Sequence, residues 1–544
     1  MEYILVIFTL LVYFVNSEDA YYPAAFGDFD SDGLQDAVVV NGKYTKWAIS
    51  YALKKPNYWY NTPEKCDSNL SVITGDFNGD HIIDVSFSCR QSVKLYLGHP
   101  QNQFNGKNYT EFITRFKDGH PLAVDITGKQ VTQLLVNTNT KVQIYTYQGN
   151  TVTIDATDID PTSAHAYVDV VGDILPDLVF LISNTSEKSF VVFENKGTHF
   201  MKHCIVNINK NWWIGQPTYA DVLSTGKLNL VLPVCIQDCA KSSTVQMYFF
   251  QTQTWTSIAE LSNGYMFPNS PLRIIPEIYR KVWLRYGDFN YDGCPDFVVV
   301  VAKGTNTYIG LLICESTSHY KFSTLSVQNP QVATVIDSDT EVQSQILYTK
   351  DGTVGMFKEV PMKNKERSFL KISIADGKCR GTRCSISGKE NYAAGMLPGN
   401  SIEYSMPSLS GDSITSKAGI LIQSGQFALQ TPYVVLGLGQ TPNFITSLRV
   451  TCAGLSLSEK PNTKVQENVI PNAVLVLIPS KPQTPSQWVF LLKITAQIEI
   501  LFKTFLAFTG LCVVFVILIL LLTYREKVEN DLEIQRQREK MFAM

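Results

Sequence analysis

The chain has 544 residues, of which 45% are hydrophobic and 17% charged, and its formal net charge is −3. A chain of this length can form two or three domains, or one large repeat domain with additions. The low, balanced charge provides no basic stripe for phosphate contacts, so nucleic acid is excluded as an expected partner.

The first 17 residues are predicted to be a secretory signal peptide. A nearly unbroken apolar run from Met1 to Phe14 precedes the polar segment 15–17, which suits cleavage after Ser17. No basic residue precedes the apolar run, so an uncleaved N-terminal membrane anchor is the alternative.

One sequence unit returns seven times between residues 18 and 385. Each copy starts with an aspartate after a short apolar segment, and these aspartates are Asp28, Asp76, Asp125, Asp169, Asp221, Asp288 and Asp337. A carboxylate or amide follows eight residues later in every copy, and a β-branched or aromatic run typical of a buried strand comes next. Because a period of about 50 residues matches propeller blades, we predict an all-β fold whose residues 18–385 form a seven-bladed β-propeller.

The first repeated loop has the spacing of a calcium site. Oxygen donors stand at loop positions 1, 3, 5 and 9, with the carbonyl of position 7 between them, and the set is Asp28, Asp30, Asp32, Leu34 and Asp36. Alternate residues of a tight turn can converge on one hard cation, and Gly33 permits the bend. The expected role of the ion is structural.

Two further loops keep the same donors. The second offers Asp76, Asn78, Asp80, Ile82 and Asp84, and the sixth offers Asp288, Asn290, Asp292, Cys294 and Asp296. In the second loop His81 replaces the glycine, so its turn is less well defined by sequence. The alternative for every acidic loop is a solvated turn held by side-chain hydrogen bonds to its own backbone.

The other four loops have lost donors. Lys129 stands at position 5 of the third loop and would repel a cation, while the fifth keeps only the side chains of Asp221 and Asn229. The fourth has Val171 at position 3, and the seventh ends in Gln345. We expect no ion in the third and fifth loops and leave the fourth and seventh open.

The C-terminal part contains a small β domain and a membrane span. Alternating apolar segments predict a membrane-proximal β domain over residues 386–498. Residues 504–522 contain no charge, which predicts a transmembrane helix over 501–523. Since Arg525 and Lys527 follow at once, the tail 524–544 should be cytosolic and the topology type I. The tail is either a short helix that docks cytosolic partners or a solvated stop-transfer segment.

This topology places ten of the 11 cysteines in an oxidising compartment. Cys235 with Cys239 and Cys379 with Cys384 are candidate local disulfides, although a free thiol there stays possible. Three sequons would lie on the same side of the membrane, and the predicted glycosylation sites are Asn69, Asn108 and Asn184.

The acidic loops resemble the FG-GAP repeats of integrin α chains, but the chain is too short for an integrin α subunit. A closer resemblance lies after the propeller, where the run from Ala428 to Gly439 continues into Pro442-Asn443-Phe444. With Ile470-Pro471-Asn472, Trp488 and the short charged tail, it resembles the T-cell immunomodulatory protein family, also called linkin.

The family resemblance implies a non-enzymatic cell-surface protein linked to adhesion and to T-cell modulation. It also implies intracellular association with tubulin and RuvB-like ATPases. A propeller-based ectoenzyme acting on glycans or lipids is the alternative, and carboxylates or histidines converging in the central channel would favour it. The pair His199 and His203 lacks the glutamate of a zinc-protease helix and lies in a strand-rich repeat.

Overall fold

The computed structural model describes residues 21–543 with gaps, of which those longer than five residues are 63–69, 269–281, 338–343, 358–366, 379–391 and 454–461. The predicted signal peptide therefore lies outside the described residues. The described chain forms two compact units, residues 1–493 and 494–544.

Seven antiparallel sheets follow one another along the first unit, and each begins at one of the repeats. We number them blades 1 to 7. Blade 1 contains Tyr21–Gly27, Asp36–Asn41, Lys46–Ser50 and Tyr60–Asn61. Blade 2 contains Ser71–Gly75, Asp84–Cys89, Ser92–Tyr96 and Thr110–Ile113. Blade 3 contains Leu122–Val124, Gln133–Asn137, Val142–Tyr145 and Thr151–Ile154.

The later blades have longer strands. Blade 4 contains Ala166–Val168, Asp177–Ser183, Lys188–Asn195 and Phe200–Asn207. Blade 5 contains Trp212–Ile214, Thr218–Ala220, Asn229–Ile236, Ser242–Phe249 and Thr254–Glu260. Blade 6 contains Arg285–Gly287, Asp296–Lys303, Asn306–Ser316 and His319–Gln328. Blade 7 contains Val332–Ile336, Gln345–Lys350 and Thr353–Phe357. A short hairpin, Gly98–His99 with Gln103–Phe104, lies within blade 2, and a 3-10 turn, Tyr51–Leu53, within blade 1.

The blades form a closed ring. The amide of Tyr21, at the start of blade 1, donates to the carbonyl of Gly352 in blade 7 over 3.0 Å. Large apolar side chains fill the spaces between blades. Trp47 of blade 1, for example, is fully buried and stacks on Tyr60 while contacting Phe87 and Tyr96 of blade 2. This architecture is the predicted seven-bladed β-propeller, and closure protects the sheet edges.

A β-sandwich of two four-stranded sheets follows. Its first sheet runs Tyr433–Gly439, Ser368–Ile374, Ala473–Ile478, Val489–Ile494, and its second runs Ser413–Gly419, Ser401–Pro407, Ile445–Cys452, Asn462–Val469. Shorter elements are the strands Gly377–Lys378, Tyr392–Ala393 and Ile422–Gln423 and the 3-10 turn Pro485–Gln487. One apolar cluster contains Leu370 and Ile402 from the two sheets together with Leu122 and Tyr167 from blades 3 and 4. Propeller and sandwich thus share a core.

The strand Ser368–Ile374 corrects the predicted domain boundary at residue 385. It pairs antiparallel with Tyr433–Gly439 and parallel with Ala473–Ile478, and so lies in the middle of a sandwich sheet. Its apolar residues resemble those of any blade strand, so no sequence pattern separates it from the propeller. The sandwich begins by residue 368.

The second compact unit is one helix, Ile498–Phe542. It is the helix among the described residues that is long and apolar enough to cross a membrane. The helix continues without a break through the predicted cytosolic tail, where Arg525 forms an exposed ion pair with Glu529 one turn later. The segment 524–542 is therefore helical and exposed.

Candidate functional site

The seven acidic loops join the inner strand of each blade to its second strand, so all seven lie on one face of the ring. We number loop residues 1 to 9 from the first aspartate. Position 6 is left-handed wherever it is described in loops 2 to 6, at φ 64, 62, 72, 74 and 85° for His81, Gln130, Ile174, Gly226 and Gly293. Loop 2 therefore makes the turn that the sequence left uncertain, although a histidine there carries a conformational cost.

The first aspartate holds the turn closed. In loop 2 the carboxylate of Asp76 accepts hydrogen bonds from the amides of Gly79, Asp80 and His81 over 2.7–3.2 Å. Asp125 of loop 3 accepts from Gly128 and Gln130 in the same way. Since loop 3 carries Lys129, this turn forms with or without the donors of a calcium site.

The residue at position 9, which the sequence predicts as a metal ligand, also forms hydrogen bonds to the backbone of its own blade. It is buried in all seven blades, with at most 1% of its surface exposed. In blades 1, 2, 3, 4 and 6 one side-chain oxygen accepts the amide of position 2, as for Asp36 with Phe29 at 2.8 Å and Asp296 with Phe289 at 2.9 Å. In blades 1, 2, 4 and 6 the other oxygen accepts an amide near the end of the third strand. In these five blades the residue at position 9 therefore ties the loop to its blade.

Loop 1 brings three carboxylates together. Single oxygens of Asp28, Asp30 and Asp36 lie within 4.8 Å of one another, and the first and last of these residues are buried. Asp32 lies outside the described residues, and Leu34 is described at position 7. An all-oxygen set on a tight turn fits a hard divalent cation such as calcium. The hydrogen bonds to Asp36 do not prevent this, because each carboxylate oxygen has two lone pairs.

Loop 2 has the same types of donor, although among the described residues three carboxylates lie within 4.8 Å of one another in loop 1 and not in loop 2. Asn78 donates its side-chain amide to Asp80 over 2.9 Å, which places positions 3 and 5 side by side, and Ile82 donates its backbone amide to Asp80. Burial raises the pKa of Asp84 well above its usual range, and the carboxylates of Asp76 and Asp80 raise it further, against hydrogen bonds that lower it. A bound cation would offset this repulsion.

Loop 6 has the same donors and two additional restraints. Burial, followed by the charge of Asp292, raises the pKa of Asp288 to about 7. Asp292 also pairs with Arg367, which precedes the first sandwich strand, with 3.2 Å between Nη1 and Oδ2. Cys294 at position 7 forms a disulfide with Cys314. A cation at this loop would therefore compete with a guanidinium for Asp292.

Loops 4 and 7, which the sequence left open, hold lysines of the sandwich. The Nζ of Lys417 contacts Oδ2 of Asp169 in loop 4, and both side chains are 1% exposed. The Nζ of Lys371 lies 2.7 Å from Oδ2 of Asp337 in loop 7, and these side chains are 8% and 1% exposed. Asp339 and Glu341 of loop 7 lie outside the described residues. Each loop thus meets a cation supplied by the chain itself.

The sandwich also contacts loops 3 and 5. Gln130 of loop 3 donates to the carbonyl of Pro479 over 2.7 Å, and the backbone amide of Lys417 donates to Asp221 of loop 5 over 3.0 Å. The sandwich therefore contacts the acidic face of the ring through five consecutive loops, 3 to 7. These contacts join residues up to 349 positions apart, so no local spacing of residues could indicate them.

A segment of the sandwich, residues 420–433, enters the centre of the ring. Ile422–Gln423 pairs with the inner strand of blade 4, and Gln423 donates to the carbonyl of Pro217 in blade 5. Gly425 accepts from Ser71 of blade 2, and Leu429 is buried with the core of blades 1 and 2. A cavity of about 90 Å³ remains between this segment and blades 6 and 7, which is room for several water molecules.

The remaining predicted sites have mixed outcomes. The predicted disulfide between Cys235 and Cys239 is present. The other predicted pair, Cys379 with Cys384, and the sequon residues Asn69, Asn108 and Asn184 lie outside the described residues. Cys204 and Cys452 are free thiols, and Cys452 is buried.

The described chain is therefore a β-propeller whose acidic face is covered in part by a β-sandwich, followed by a helix able to span a membrane. Residues 393–492 match the family model described as the ITFG1 C2 domain. Among solved structures, BBS1N from a lead-soaked complex with ARL6DN matches with a TM-score of 0.41 and 10% identity, over 64% of this chain and 95% of that one.

The predicted family resemblance is confirmed along nearly the whole chain. Human T-cell immunomodulatory protein is 27% identical over 94% of this chain and 90% of its own length. The protein linkin of Caenorhabditis elegans is 23% identical over 87% of this chain and 86% of its own length. The motif around residues 428–439 that carried the resemblance forms part of the central segment and the strand against loop 6.

Proposed function

We propose that the chain is a non-enzymatic, type I single-pass membrane glycoprotein whose calcium-stabilised propeller binds protein partners at the cell surface. The three convergent carboxylates of loop 1 carry the calcium part of this proposal. The same pattern of donors recurs in loops 2 and 6. In each of these three loops the ion would rigidify the first turn of a blade, with the side-chain and carbonyl oxygens of positions 1, 3, 5, 7 and 9 as ligands.

The filled centre of the ring supports a binding role over catalysis. Propeller enzymes use the central channel, and here residues 420–433 enter it from the sandwich and bond to blades 2, 4 and 5. The human relative is named as a T-cell immunomodulatory protein, which supports a role at the cell surface. By the same resemblance, we assign the cytosolic half of the helix, residues 524–542, to partners such as tubulin and RuvB-like ATPases.

Two experiments test this proposal. Melting of the full-length protein in detergent should shift upward in calcium and downward in chelator, because an ion that binds only the folded state stabilises it. An unchanged melting temperature would contradict a structural role for calcium.

Proximity labelling on intact cells, with a tag at residue 18, should biotinylate surface proteins. Labelling confined to cytosolic proteins would contradict the topology.

A further inference from the structure

The acidic loops of blades 4 and 7 have a cation partner that comes from the chain itself. Loop 4 lacks an oxygen donor at position 3, where Val171 stands, and loop 7 has an amide, Gln345, at position 9. Calcium in proteins takes six to eight oxygen ligands, whereas a lysine ammonium requires only a few acceptors. Of the four loops that depart from the calcium pattern, loops 4 and 7 each receive a lysine of the sandwich.

The position of each lysine excludes an ion at the same carboxylate. Nζ of Lys417 is in contact with Asp169, and Nζ of Lys371 is 2.7 Å from Asp337, so both occupy the oxygen that position 1 would offer to a metal. The Lys371 ammonium also lies 4.1 Å from the ring centroid of Tyr433, a cation–π contact on its other side. Both ammonium groups are buried, and a second cation beside either would be strongly repelled.

The two lysines come from different sheets of the sandwich. Lys417 belongs to Ser413–Gly419 and Lys371 to Ser368–Ile374. Lys417 joins two blades at once, because its ammonium contacts loop 4 while its backbone amide donates to Asp221 of loop 5. Each sheet is thus attached to the ring at a different loop.

We propose that Lys417 and Lys371 replace calcium in blades 4 and 7 and thereby fix the sandwich to the propeller without metal. This goes beyond the proposed function, because it distinguishes two kinds of blade. Blades 1, 2 and 6 bind an ion, whereas the acidic loops of blades 4 and 7 are paired with a lysine of the same chain. The attachment of the sandwich at loops 4 and 7 is then insensitive to chelation, while loops 1, 2 and 6 respond to it.

Calcium counting is the first test. In full-length protein in detergent, D169N and D337N should leave the number of calcium ions bound per chain unchanged, whereas D28N should lower it by one. A lower count in D169N or D337N overturns the proposal. An unchanged count in D28N would instead contradict the calcium site of loop 1, and the lysine assignment would then be decided by the melting experiment below.

The melting experiment isolates the charge of Lys417. K417M should lower the melting temperature by several degrees, equally in calcium and in chelator, since it leaves Asp169 buried without its cation. The double variant K417M/D169L, which removes both charges, should regain much of that loss, and K417R should remain close to the parent protein. The matched control is K321M, which removes an exposed pair 3.6 Å from Glu315 and should change little. A K417M effect equal to that of K321M, or a K417R effect equal to that of K417M, overturns the proposal.

Discussion

Replacing Gly437 by alanine tests how tightly the sandwich is seated on loop 6. Gly437 lies in Tyr433–Gly439, and its carbonyl accepts a hydrogen bond from the hydroxyl of Tyr404 over 3.1 Å. A Cβ at this position would lie 1.9 Å from Oδ2 of Asp288 and 2.5–2.6 Å from the backbone of Tyr291. A side chain could rotate away, but Tyr291 is held by the hydrogen bond from Gly439 to its carbonyl at 2.7 Å.

The size of the effect follows from these contacts. Overpacking costs about 1–3 kcal/mol, and a clash with backbone belongs at about 3 kcal/mol or above. At about 2.1 cal/mol/K per residue, the compact unit ending at Lys493 unfolds with an entropy of about 1 kcal/mol/K. G437A should therefore lower the melting temperature of full-length protein in detergent by about 3 °C.

The control for G437A is G304A. Gly304 has φ 62° but no atom within 4 Å of an added Cβ, so this variant carries only the backbone cost of about 1 kcal/mol. Differential scanning fluorimetry in calcium measures both variants. If the melting temperature of G437A equals or exceeds that of G304A, the close contact between the sandwich strand and loop 6 is refuted.

Three further predictions concern the same face and the centre of the ring. R367Q should strengthen calcium binding to loop 6, because it frees Asp292 from a competing charge, and isothermal titration showing weaker binding would contradict this. Replacing both Cys294 and Cys314 by alanine should lower the melting temperature by about 3 °C, since the bridge closes a segment of about 20 residues. Reduction should then lower the melting temperature of the parent protein by about 3 °C more than that of the variant, because both keep the Cys235–Cys239 disulfide and only the parent has this bridge. L429A should cost about 2–5 kcal/mol through a cavity in the channel, whereas L492A at a 42% exposed position should cost little, and similar melting of the two would argue against a packed central segment.

The ring could be predicted from the sequence because each blade repeats one local pattern. The aspartate at position 1, the polar residue at position 9 and the following apolar run are all within nine to 14 residues of one another. The family resemblance also followed from a local motif. By contrast, the hydrogen bonds that position 9 accepts near the third strand could not be predicted, because they depend on the geometry of the blade.

The lysines and the boundary could not be predicted. Lys417 is 248 residues from Asp169, and Lys371 lies in a strand whose pattern suits either domain. Nothing in the composition around either residue distinguishes it from a surface lysine. Likewise, the entry of residues 420–433 into the ring depends on pairing with blade 4, which no periodicity predicts.

A crystal structure determined in calcium would test the central claim most directly. We expect an ion coordinated in loops 1, 2 and 6, with the ammonium groups of Lys417 and Lys371 at the corresponding positions of loops 4 and 7. An ion in loop 4 or 7, or loop 1 without an ion at millimolar calcium, would contradict it.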